Sequence, residues 1–295
     1  MKCRICDEQI DIAIIYKGKI RNGGLGQYTT DDVCIYKCRV CDCIWHEPIL
    51  SAHEYYESQE YRKALEGSSE EQEFYRLHDK ESMDKFIYTG TAIFRNKVVA
   101  DIGCGCGAFL DYVNGVAKNV VAVEPSETYR RIMDKKGFNT YPYAKNAGLV
   151  WGNKVDVVTS FDVIEHVEDP ISFLEDVYHL LVDGGRAIIG TPTDAPVMRS
   201  LLGEVYEKKL LFSTQHLWIF SEKNMKMMAE QIGFSSVKVK YYQRYGLENL
   251  LGWVREKEPR SEIYGDFITD TMNSVWKSQL SEKALADYLV LYVEK

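Results

Sequence analysis

No apolar run in this chain approaches the roughly 20 residues that a membrane-spanning helix needs, and the opening MKCRICDEQID lacks the apolar core of an export signal. A cytoplasmic protein without membrane insertion is therefore expected. Basic charge is also scarce, with 36 Lys and Arg against 44 Asp and Glu and a formal net charge of -8. That balance gives no general attraction to phosphate backbones, and no local basic cluster makes up for it. Nucleic acid is accordingly a poor expected partner. With 45% hydrophobic and 27% charged residues over 295 positions, the composition suits one good-sized globular domain plus something small. It says nothing of oligomeric state.

Four of the eight cysteines form two CxxC pairs, Cys3 with Cys6 and Cys38 with Cys41. A CxxC turn lets two thiolates bind one ion from the same loop, and a second CxxC closes a tetrahedral shell with no open position for chemistry. The expectation is a structural zinc ion in a ribbon over residues 1–50. The alternative, disulfides or inert buried thiols, fits less well in a chain expected to stay in a reducing compartment. The long spacing between the knuckles suits an inserted hairpin, for which GKIRNGGLGQYTTDDVCIYKC supplies turn residues and a strand. Cys34 and Cys43 sit at apolar positions of a strand pattern and are expected to pack as small hydrophobes.

The most informative stretch is VVADIGCGCGAFLDYV, residues 98–113. A β-branched run ends in Asp101, breaks into Gly103, Gly105 and Gly107, and restarts as a helical pattern. Strand, tight turn and helix in that order place bare backbone N–H groups against a nucleoside cofactor. Cys104 and Cys106 are then spacers between glycines. Two cofactors compete, because Gly103, Gly105 and Ala108 also satisfy the GxGxxG/A dinucleotide pattern. Asp101 tilts the choice: a carboxylate aimed into the turn opposes a pyrophosphate and suits the ammonium of a methionine moiety.

In this form the stretch resembles the first motif of class I S-adenosylmethionine-dependent methyltransferases. The resemblance extends over about residues 90–240. NVVAVEPS places Glu124 and Pro125 at the end of a second strand, where an acid can accept ribose hydroxyls. VDVVTSFDVIEHVEDP, residues 155–170, is similar to the fourth-strand motif of the ubiquinone-biosynthesis-like branch, with Phe161, Asp162, Glu165, His166 and a helix-opening Pro170. The helix ISFLEDVYHLLVDGG is predicted to end on Gly184 and Gly185, with RAIIGTP as a fifth strand. The resemblance implies an α/β fold, a Rossmann-like sheet that is parallel apart from one antiparallel strand near the C-terminus. It also implies S-adenosylmethionine as cofactor, held by Asp101, Gly103, Cys104, Gly105, Gly107, Glu124, Pro125, Phe161 and Asp162.

Residues 51–95 read as a helical lid or linker, two helices around Gly67-Ser68-Ser69. Tyr55, Tyr56 and Tyr61 on it are candidates for contact with the acceptor, although core packing is the commoner role of such aromatics. The methyltransferase domain is expected over 96–295, with insertions at about 193–220 and 242–284 on the cofactor side of the sheet, before a last strand DYLVLYVEK. QHLWIFSEKN, containing His216, and QRYGLENLLGW resemble segments of methyltransferases of bacterial surface-polysaccharide biosynthesis, which implies a small hydroxylated acceptor.

Methyl transfer to a weakly acidic hydroxyl calls for a general base, typically worth about 100-fold to 10,000-fold. His166 is the first candidate and His216 the second, since imidazole titrates near neutral pH. A purely loop-organising role for His166 competes with that. Asp162, Glu165 and His166 as a cation site is disfavoured, because neighbours on a helix diverge in direction. His46, His53, His78 and His179 carry no motif context. Open alternatives are methylation of a phosphoryl or phosphoramidate group of a glycan, C-methylation of a nucleotide sugar, a zinc-containing ribosomal-RNA methyltransferase, a non-catalytic zinc interaction protein and a nicotinamide dehydrogenase. Acidic residues such as Asp31, Asp32 and Asp42 in the zinc segment oppose the RNA reading.

Overall fold

The computed structural model describes residues 2–49, 52–58, 63, 70–259 and 267–295. Among them the strands are, in chain order, β1 (Ile12–Gly18), β2 (Val33–Cys38), β3 (Ile44–Trp45), β4 (Val98–Ile102), β5 (Asn119–Val123), β6 (Asn139–Tyr141), β7 (Val155–Phe161), β8 (Leu181–Pro192), β9 (Trp218–Ile219), β10 (Ser236–Tyr242) and β11 (Tyr288–Glu294). They form a four-stranded sheet in the order β1-β2-β3-β9 and a seven-stranded sheet in the order β10-β11-β8-β7-β4-β5-β6.

The large sheet is built as its sequence dictates. β4 and β5 are Val- and Ala-rich and buried from their second residue onward, the signature of strands covered on both faces. They pair in parallel, Val99 opposite Val120 and Asp101 opposite Ala122, and β7 lies parallel on the other side of β4. β11 runs antiparallel to β8: the Thr193 N–H donates to Asp287 O, and at the far end the Gly184 N–H donates to Lys295 O. The Rossmann-like sheet with an antiparallel strand near the C-terminus is thus present. β10, at its edge, turns Lys238 and Lys240 to solvent, and such charges block pairing with another chain.

The helix after β7 begins where expected, with Pro170 in its first turn and the Asp169 carboxylate accepting from the Ile171 and Ser172 N–H groups. It ends earlier than the glycine pair suggested. Leu180 is its last residue, and β8 already starts at Leu181, running through Gly184 and Gly185. The hydrogen bonds that Gly184 and Gly185 exchange with Lys295 draw this segment into the sheet.

Two compact units divide the chain. One comprises Met1–Glu47, Gly190–Met227 and Lys238–Leu291, the other Pro48–Ile189, Met228–Val237 and Tyr292–Lys295. The division is not the three consecutive segments expected from the sequence, because the cysteine-bearing segment shares its unit with both insertions. The link is concrete: β3 pairs with β9, placing Trp45 opposite Trp218, and the Arg21 N–H donates to Phe212 O. Ile20, Ile35, Ile44, Phe212, Ile219 and Trp253 share one buried cluster.

In that first unit β1 and β2 form the hairpin between the two knuckles, from Gly18 opposite Val33 to Ile12 opposite Cys38. In the second, the helix Glu71–Thr89 precedes β4 and ends on Gly90, whose φ of 80° only glycine adopts without strain. The helix Ala52–Glu57 is a further described part of the predicted lid; Gly67, Ser68, Ser69 and Tyr61 lie outside the described residues.

Candidate active site

The glycine turn has the backbone that its sequence demands. Gly103, Gly105 and Gly107 have φ of 78°, 56° and 85°, so three residues within five sit in left-handed conformations. Space is equally restrictive. A Cβ on Gly103 would lie 2.2 Å from Val163 Cγ2, and one on Gly105 would lie 2.4 Å from Phe74 Cζ. Cys104 packs as a spacer, with its thiol against Val123 O at 3.4 Å, and Cys106 is fully buried.

Two buried acids flank the turn. Asp101, 4% exposed, accepts a hydrogen bond from Thr159 Oγ1 at 2.7 Å. Burial pushes its carboxyl up to about 7, against the opposing pull of the Thr159 bond and of the nearby Lys85 charge. Glu124, 2% exposed, spans the turn: Oε2 accepts from the Gly105 N–H at 3.0 Å and Oε1 from the Ser126 N–H at 2.9 Å. Ser126 Oγ beside it is buried and has no hydrogen-bond partner among the described residues. Pro125 O accepts from Arg130.

The helix Glu71–Thr89 covers this turn. The Phe74 ring lies over Gly105, and Tyr75 OH donates to Cys106 O at 2.9 Å. Lys85 reaches Asp162 Oδ2 at 2.9 Å and Glu81 Oε1 at 2.8 Å, with its ammonium 5.1 Å from the Phe161 ring centroid. Burial opposes its charge, but the two carboxylates hold its pKa above the ordinary lysine value. Asp162 itself has φ of 58°, an uncommon conformation for a residue with a side chain and one found often at functional loops.

After β7, His166 Nδ1 lies 2.9 Å from Tyr56 OH, and His166 Nε2 lies 3.9 Å from Glu165 Oε1. Glu165 is 1% exposed. The Tyr55 ring packs edge-on against Tyr56 at 5.3 Å. His216 belongs to the other compact unit, where its backbone N–H donates to Ser213 Oγ. Of the remaining histidines, His46 has both ring nitrogens within hydrogen-bond distance of carbonyls, Glu47 O and Ser213 O. His179 packs against Gly148 and Gly152.

Sequence reasoning missed Lys85 and Thr159, while Phe74, one of the aromatics expected to face the core, is buried. Thr159 could have been found from register, as the residue opposite Asp101 in the β4–β7 pair. Lys85 has no such signal, being one lysine in a polar helix.

In the first unit, the four expected cysteines converge. Their Sγ atoms all lie within 4.8 Å of one another, with Cys3 to Cys41 at 3.6 Å and Cys6 to Cys38 at 3.5 Å. Zinc–sulfur bonds of about 2.3 Å in a tetrahedron set sulfurs about 3.8 Å apart, so the donor set fits that ion. The Asn224 side chain donates to Cys41 O, bracing the second knuckle. Cys34, in β2, and the fully buried Cys43 stand outside the set.

A seven-stranded sheet of this order with a glycine turn after its central strand defines a Rossmann-like enzyme fold. A family model described as a methyltransferase domain matches residues 71–239, and the chain belongs to that family. Ubiquinone biosynthesis O-methyltransferase of Dinoroseobacter shibae is 27% identical over 157 residues, 50% of this chain and 63% of that protein. The tRNA U34 carboxymethyltransferase of Colwellia psychrerythraea is 30% identical over 154 residues, 48% of this chain and 46% of that one. The chain thus spans less than two thirds of either relative. Among solved structures, a SAM-dependent methyltransferase from Archaeoglobus fulgidus shares the fold with a TM-score of 0.51 at 17% identity, over 76% of this chain and 97% of that one. Phosphoethanolamine N-methyltransferase 2 of Haemonchus contortus does so with a TM-score of 0.50 at 16% identity, over 85% of this chain and 63% of that one.

Proposed function

We propose that the protein transfers the methyl group of S-adenosylmethionine to a hydroxyl of a small acceptor, a sugar or another precursor of surface polysaccharide, and that Cys3, Cys6, Cys38 and Cys41 hold one structural zinc ion. The observation that carries the O-methyl reading is the 2.9 Å contact of Tyr56 OH with His166 Nδ1.

The residues around the glycine turn suit the cofactor. Asp101 offers a buried carboxylate to an ammonium, and Glu124 keeps lone pairs for ribose hydroxyls while two backbone N–H groups fix its position. Ser126 Oγ adds a buried hydroxyl without a protein partner. When bound, S-adenosylmethionine supplies an electrophilic sulfonium methyl. The helix Glu71–Thr89, lying over the turn through Phe74 and Tyr75, excludes water there.

Proton handling falls to the segment after β7. A phenol donating to Nδ1 leaves the neutral His166 ring carrying its proton on Nε2, on the side of Glu165. An acceptor hydroxyl meeting the Tyr56 oxygen gives up its proton as the phenol passes its own to Nδ1. The Glu165 carboxylate then steadies the imidazolium, the division of labour seen wherever a base is oriented by an acid. Positioning the hydroxyl in line with the methyl supplies most of the remaining acceleration.

Calorimetric titration of the zinc-loaded protein with S-adenosylmethionine and with NAD tests the cofactor: absence of binding by the former sinks the reading, and binding by NAD alone replaces it with a dehydrogenase. Transfer of labelled methyl to a panel of free and nucleotide-linked sugars, glycan phosphoramidates, a ubiquinone-type phenol and unmodified tRNA tests the acceptor. The net charge of -8 supports a small molecule over the tRNA arm of that panel.

A further inference from the structure

We propose that Glu57 and Tyr143 are positioning residues: their hydrogen bond anchors the helix Ala52–Glu57 across the mouth of the cofactor crevice and so holds Tyr56 against His166. Its weight for the reaction rests on the proton handling given to Tyr56 and His166 above.

A helix of six residues is too short to persist by itself, so its placement has to come from contacts with the rest of the fold. Two consecutive residues supply such contacts in opposite directions. Tyr56 OH lies 2.9 Å from His166 Nδ1, with 5.4 Å between the ring centroids. The Tyr143 hydroxyl donates to Glu57 Oε1 at 2.6 Å. His166 follows β7 and Tyr143 follows β6, and in the sheet those two strands are separated by β4 and β5. All four run parallel. Anchors three strand spacings apart, about 14 Å, therefore put the helix across the carboxyl ends of β4 and β5, where the glycine turn and Glu124 stand. Helix, anchors and turn belong to one compact unit.

The far anchor is itself fixed. The Glu124 N–H donates to Tyr141 O, two residues before Tyr143, and Tyr143 is the N-cap of the helix Ala144–Trp151, its carbonyl accepting from the Asn146 and Ala147 N–H groups. The phenol on that backbone stays a donor, because burial first and the Glu57 carboxylate next hold its pKa above the ordinary tyrosine value.

Glu57 is exposed and Tyr143 only half-buried, so the pair adds little to the core. What it fixes is direction. Successive residues of a helix point about 100° apart, so a helix tied through Tyr56 alone keeps the freedom to turn about its axis and swing the phenol off His166. A second tie one residue on, pulling the other way, removes that freedom.

The test reads His166 directly, by nitrogen NMR of isotope-labelled histidine side chains in the full zinc-loaded chain at a pH where the ring is neutral, with His166→Gln identifying the signal. A phenol donating to Nδ1 keeps the ring proton on Nε2, so Tyr56→Phe should lower the ratio of the Nε2–H to the Nδ1–H form by about two- to tenfold, the weight of one hydrogen bond. Tyr143→Phe and Glu57→Ala should move the ratio the same way. Glu57→Gln, whose amide oxygen still accepts from the phenol, should stay near wild type. In methyl transfer under saturating cofactor, Tyr143→Phe should be about two- to tenfold slower than wild type and cause no further loss in a chain already carrying Tyr56→Phe. A ratio that Tyr143→Phe and Glu57→Ala both leave unchanged, or a rate loss that adds in full to that of Tyr56→Phe, would overturn the proposal. Failure of the proton-handling reading looks different: Tyr56→Phe would then transfer methyl at the wild-type rate while the ratio still moved, and the anchoring would stand.

Discussion

Thr159 Oγ1 donates to Asp101 Oδ1 at 2.7 Å, and the two residues are direct register partners across the parallel pair β7–β4. The bond favours the ionised carboxylate, yet burial dominates and leaves the group titrating at about 7. A carboxyl whose pKa is raised on folding holds more protons in the folded than in the unfolded state over the interval between the two values. Its contribution to stability is therefore complete below about pH 4 and is lost as pH rises towards 7. The difference in unfolding free energy between wild type and Asp101→Asn should fall by up to about 4 kcal/mol over that interval and level off above it. Affinity for S-adenosylmethionine should move the other way, rising about fivefold from pH 6 to pH 7 in wild type only, because an ammonium prefers the ionised acid. Denaturation and calorimetry at several pH values read both, and a flat wild-type affinity profile would refute the role given to Asp101.

Lys85 is one of the charges holding that value down. Replacing it by Met keeps much of the stem and removes the ammonium, which should push the Asp101 midpoint higher. S-adenosylmethionine binding at pH 7 should then weaken several-fold and recover at higher pH. Recovery with pH is the distinguishing readout, since a variant that had merely loosened the helix Glu71–Thr89 would bind weakly at every pH.

Gly105 has two independent reasons to be glycine, its φ of 56° and the Phe74 ring 2.4 Å from where a Cβ would stand. Gly105→Ala should cost about 2–3 kcal/mol of stability, of which about 1–2 kcal/mol is backbone strain. Truncating Phe74 to Ala in the same chain should return only the steric part. In a double-mutant cycle measured by urea unfolding, a coupling of about 0.5–3 kcal/mol is expected. Strict additivity would mean that the ring does not lie against the turn.

Local signals made the central part of this architecture legible. The apolar runs of β4, β5 and β7, the glycines between strand and helix, and Pro170 each act over a few residues, and each was found where it was expected. Legibility failed where distant segments decide. The end of the helix at Leu180 depends on hydrogen bonds to Lys295 across more than a hundred residues, so Gly184 and Gly185, a helix stop by local pattern, belong to a strand. The grouping of the cysteine-bearing segment with both insertions rests on the short pairing of β3 with β9, two residues each, too brief to leave a periodic pattern. At the candidate site, the backbone of the glycine turn was readable by residue type and spacing. The Tyr56–His166 pair, by contrast, joins positions 110 residues apart, and only the fold brings them together.

The cysteine cluster predicts one zinc ion per chain. Metal analysis should find it lost in Cys3→Ser and in Cys38→Ser and retained in Cys34→Ser and Cys43→Ser, since the last two thiols stand outside the set whose sulfurs lie within 4.8 Å of one another. Chelation should open residues 2–47 to limited proteolysis, because the ion ties the knuckles on either side of the β1–β2 hairpin. Loss of zinc with no change in cleavage there would count against a structural role.

Tyr56, His166 and Glu165 make a prediction about rate that separates chemistry from scaffolding. If Tyr56 collects the acceptor proton and His166 takes it on, Tyr56→Phe and His166→Gln should each lower the rate of methyl transfer by about 100-fold to 10,000-fold. Affinity for S-adenosylmethionine, which the proposed function assigns to Asp101, Glu124 and the glycine turn, should stay within about twofold, well under the tenfold that 1.4 kcal/mol represents. Because the two groups handle one proton, the double variant should be little slower than the worse single one, whereas independent contributions would multiply. Labelled-methyl transfer under saturating cofactor, for each variant and for the pair, gives all three numbers. Multiplicative losses would break the relay into separate roles. A drop in cofactor affinity that accounts for the whole loss of rate would return His166 to organising the loop after β7.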